Sequence, residues 1–147
     1  MGFFDKVKAG LGDLTDEAQK LMHKTFLQAM TGAGALTAAA DGSIDPCEKQ
    51  KMVSFIKANP DLEVFSEREI LTSFDAWVTQ IQTDVDSARS NMFAAIGKLK
   101  NNENAARILM RQVVAIAEAD GNFDDDEKAI AREIAQELGL SADEFIK

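Results

Sequence analysis

Tyrosine is absent from this chain, and cysteine, histidine and tryptophan occur once each. The single thiol, Cys47, excludes an intrachain disulfide and an all-thiolate metal cage, and such cysteine usage fits a reducing, cytosolic address. One histidine, His23, supplies neither a catalytic triad nor a zinc site without partners its neighbourhood in the sequence does not offer. Long apolar runs are missing too. The longest, Ala33–Ala40, falls far short of the ~20 residues that span a bilayer. The opening Met1-Gly2-Phe3-Phe4-Asp5-Lys6 lacks the apolar core of a signal peptide, and Lys6 stands where N-myristoylation wants Ser or Thr. Positive charge is in short supply: 16 Lys and Arg face 25 Asp and Glu, a formal net charge of −9. That balance argues against a nucleic-acid binder, which needs a basic face, and permits a cation or a basic protein partner. With only Pro46 and Pro60 to break them, and no sustained alternation of β-branched residues, the segments read as helices.

What is present is clear helix punctuation. Ser66-x-x-Glu69 and Ser141-x-x-Glu144 have the form of capping boxes, and Asp45-x-x-Glu48 and Asp124-x-x-Glu127 are their aspartate variants. Pro46 falls at a first helical position, where its missing N–H costs nothing. Gly42, Gly121 and Gly139 suit the left-handed residue that closes a helix, and Asn59-Pro60 ends another segment. The spacing predicts helices over Phe3–Leu11, Asp16–Ala40, Pro46–Lys57, Glu67–Gln82, Val85–Leu99, Glu103–Ala119 and Asp125–Leu138, with a last turn over Ala142–Ile146. Apolar residues recur at helical spacing, as in Ile70, Phe74, Trp77, Val78 and Ile81, and read as core. Gly32 and Gly34 fit a close helix crossing or a kink rather than a phosphate loop. The expected fold is all-α: one domain over 1–147, a compact bundle of seven to eight helices. Residues 1–14 would form a small amphipathic N-terminal helix, too weakly basic for stable membrane adsorption and so expected to dock on the domain.

The most informative feature is a repeat. Shifted by 79 residues, Ala38–Lys49 lies over Ala117–Lys128 with seven of twelve positions identical. The shared string is A-D-G-x-φ-D-x-x-E-K, with φ apolar, and the downstream apolar spacing carries over. Two pseudo-symmetric helix–turn–helix halves, with units around 36–57 and 115–136, are the economical reading.

Two readings of the repeated turn stand side by side. In the first, every residue has a purely structural role, in which glycine makes the turn, Ile44 or Phe123 plugs the core, and the acids cap the next helix. In the second, Asp41, Asp45 and Glu48, and Asp120, Asp124, Asp125, Asp126 and Glu127, offer carboxylates to a hard cation, Ca²⁺ or Mg²⁺. An EF-hand is excluded, because Asp125 stands where its loop requires Gly and Ala131 where it requires Glu; Pro46 and Met52 fail likewise. Five acids among the eight residues of Asp120–Glu127 exceed what capping needs and repel one another unless a cation or solvent intervenes. Pro46 and Cys47 replace two of those acids in the first copy, which makes it the weaker candidate. Cys47, near a helix start, would have its thiol acidified by the dipole, but the neighbouring Asp45 and Glu48 disfavour the thiolate, and it reads as a bystander.

The chain resembles the TerB family of tellurite-resistance proteins. The resemblance rests on Phe3-Phe4-Asp5-Lys6-Val7-Lys8, on Asp41–Met52 and most of all on Ala117–Lys128 followed by Arg132-Glu133-Ile134-Ala135; Phe65–Asn102 is its least diagnostic stretch. It implies an all-helical, non-enzymatic module of a bacterial tellurium-resistance and stress-response system. It also implies a TerC-type integral membrane partner, TerD-type calcium-binding partners and metal binding through the acidic turns. The expectation is therefore a cytoplasmic module, peripheral to the inner membrane, that binds a divalent cation and docks partner proteins. A pure protein-interaction adaptor whose acids only cap helices is the alternative, and an enzyme working through Cys47 ranks behind both.

Overall fold

The computed structural model describes residues 16–39, 46–58, 62, 64–119 and 125–146, with the side chains of 16–20, 46–48 and 119 outside that description. Among the described residues there are six α-helices and no strand: α1 (Asp16–Ala38), α2 (Pro46–Ala58), α3 (Glu67–Thr83), α4 (Val85–Gly97), α5 (Glu103–Ala119) and α6 (Asp125–Glu137). A 3₁₀ turn over Ala142–Glu144 follows. These are the interior elements of the expected bundle at nearly the expected bounds. The helix proposed over 1–14 lies outside the described residues.

α1 is the hub, packing against α3, α4, α5 and α6. Its sequence explains why. Ala29, Ala33 and Ala35 are fully buried beside Phe26, Met30 and Leu36, so neighbouring backbones approach closely while the larger side chains fill the space between them. The glycines serve the same end. A Cβ at Gly32 would stand 3.3 Å from the Trp77 indole, and one at Gly34 only 2.8 Å from Met52 Sδ. Gly32 therefore brings α1 onto α3, and Gly34 brings it onto the Met52 side chain of α2.

Buried polar groups on α1 find partners, as burial requires. Thr31 Oγ1 donates to the Leu27 carbonyl at 2.8 Å and lies 2.6 Å from Ser73 Oγ on α3. The Thr37 hydroxyl donates to the Ala33 carbonyl at 2.8 Å, and the Trp77 indole N–H donates to the Gln28 carbonyl at 3.1 Å. Phe26, Phe65 and Phe74 anchor the core with Ile56, Leu62, Met92 and Leu109.

Local chemistry sets the helix ends. Ser66 and Glu69 form the expected capping box: Glu69 N–H donates to Ser66 Oγ at 3.1 Å and Ser66 N–H to Glu69 Oε2 at 3.0 Å. One residue, Asp84, joins α3 to α4; its N–H donates to the Gln80 carbonyl at 2.9 Å, while its carboxylate accepts from Asp86 and Ser87 N–H. Gly139 takes φ +74° after α6, as predicted. The Ser141 box does not form. Ser141 makes no side-chain cap bond, because a three-residue 3₁₀ turn offers no full first turn to cap, and Glu144 turns instead to Arg107 at 2.8 Å.

Candidate functional site

The helices that follow the two acidic stretches are among the described elements. α2 and α6 are both 13 residues long, and their bounds, Pro46–Ala58 and Asp125–Glu137, are offset by 79 residues at each end, the register of the sequence match. Each follows a helix of the hub layer, α1 or α5. Those two helices pack on each other, α2 lies against α5 and α6 lies against α1, so each second helix reaches across to the other unit. Met52, Ile56 and their counterparts Ala131 and Ala135 are all buried.

Of the eight proposed cation ligands, the structure describes the side chains of Asp125, Asp126 and Glu127. Asp41, Asp45, Asp120 and Asp124 lie outside the described residues, as do the side chains of Glu48 and Cys47. Asp125, Asp126 and Glu127 fill the first turn of α6, at the positive end of its dipole. Asp125 and Asp126 are exposed and make no ion pair or hydrogen bond among the described residues. Glu127 and Lys128 are half-buried and engaged within the chain. Lys49, the counterpart of Lys128, is committed elsewhere, pairing with Asp75 of α3 at 2.8 Å. Among the described residues no group of three or more His, Cys, Asp and Glu could hold a metal.

His23 is not the lone histidine its sequence neighbourhood suggests. Its Nε2 lies 3.2 Å from both Glu69 oxygens, tying α1 to the capping box of α3, and its ring stands 4.6 Å from that of Phe65. The Ser66 backbone N–H, and after it the His23 imidazole, hold the Glu69 carboxyl below the ordinary carboxylate range. The 46-residue separation hides this pair from any local pattern. Asp84 is lowered in the same way, chiefly by the Ser87 N–H. Both are helix starts at which a carboxylate accepts from nearby backbone N–H groups.

Comparison with known proteins bears on the whole arrangement. The family model described as "Tellurite resistance protein TerB" matches residues 27–147, a span that holds both acidic turns and the bundle around them. The chain belongs to the TerB family. A relative from Alcaligenes sp, described as "Tellurium resistance protein TerB", is 31% identical over 115 residues, covering 76% of this chain and 94% of its own length. No solved structure matches. The TerB match takes in all eight acids of the two turns and leaves out residues 1–26. No helix among the described residues is long and apolar enough to cross a membrane.

Proposed function

We propose that this TerB-family chain is a non-enzymatic helical module of a bacterial tellurite-resistance and stress-response system. In this reading its acidic D-G-x-x-D-x-x-E turns bind a divalent cation, Ca²⁺ or Mg²⁺, and its surface docks partner proteins at the membrane, a TerC-type membrane protein and TerD-type calcium-binding proteins. The observation that supports the cation is the first turn of α6. Asp125 and Asp126 stand exposed there, without a counter-charge among the described residues, beside two further acids that the sequence places at 120 and 124. Capping uses one or two carboxylates; the surplus is what a hard cation would neutralise. One observation favours the adaptor reading instead. α3 and α4 begin at acid-bearing caps satisfied by groups of the chain itself, so capping suffices at two other helix starts of this protein.

Calorimetric titration of Ca²⁺ and Mg²⁺ into the wild type and the Asp120→Asn/Asp124→Asn variant separates the two. The cation reading expects saturable heat and a raised melting temperature in the wild type, both lost in the variant. Absence of heat and of a thermal shift at millimolar cation would leave the adaptor.

A further inference from the structure

We draw no further inference here: the strongest candidate, the open groove between α3 and α4 that Gln28 of α1 also lines, carries none because nothing in the structure shows what covers it.

Discussion

α2 and α6 have the same length, the same offset and reciprocal packing, and yet their first turns differ in charge by two units. Pro46 and Cys47 open α2 where Asp125 and Asp126 open α6. Their buried faces differ in the opposite sense, for α2 fills its contacts with Met52, Val53 and Ile56, whereas α6 uses Ala131, Ile134 and Ala135. Val53 is buried although its counterpart Arg132 is exposed and reaches Asp143 at 3.3 Å. Two helices with matching bounds can therefore differ in both their buried and their exposed surfaces. The apolar bulk went to α2 and the exposed acid to α6.

The comparison is broken most forcefully in the core. Position 56 holds a fully buried Ile and its equivalent, position 135, a fully buried Ala. Ile56→Ala should cost about 2–5 kcal/mol by leaving a cavity, and Ala135→Ile about 1–3 kcal/mol by overpacking, both read from urea denaturation midpoints. Equal, small losses at both sites would show that the two faces are interchangeable. A charge exchange tests the other surface. Pro46→Asp/Cys47→Asp should raise the number of Ca²⁺ equivalents measured by calorimetry, and Asp125→Pro/Asp126→Cys should lower it. Unchanged uptake in both variants would place any cation away from these residues.

The smallest effect belongs to the Ser66–Glu69 capping box. Folding lowers the Glu69 pKa, so the carboxylate's contribution is fully present above the unfolded value of about 4.3 and is lost as pH falls through the lower folded value. The Glu69 side chain is 43% exposed, which limits the effect through solvent screening. Glu69→Gln should remove about 0.5–1 kcal/mol at pH 7 and almost nothing near pH 2, in melts repeated across that range. Added Ca²⁺ should leave the difference between the two proteins unchanged.

Much of this molecule is legible because its signals are local. Ser66 and Glu69 cap α3 within one turn, Gly139 closes α6 in the conformation glycine favours, and each predicted interior α-helix ends within two residues of its observed bounds. The acids at the start of α6 are equally local and stand where the pattern puts them. The illegible parts are long-range or depend on competition. His23 meets Glu69 across 46 residues, and Lys49 leaves its own turn for Asp75. Asn102 caps α5 through a 3.1 Å bond to Ala105 N–H, which nothing in a polar stretch with two adjacent asparagines singles out. Ser141 and Glu144 have the right letters but too short a helix, and Arg107 wins the glutamate.

The junction at Asp84 also bears on the order in which the chain can assemble. Asp84 ends α3 and starts α4 with no intervening loop, so closing this hairpin costs the least chain entropy of any helix pair among the described residues. The docking of α1 on α5 and α6 must instead bring together segments dozens of residues apart. The α3–α4 hairpin is thus the natural early unit of folding. α2 and α6 also pack on helices next to them in the chain, α3 and α5, and add to these their contacts with α5 and α1.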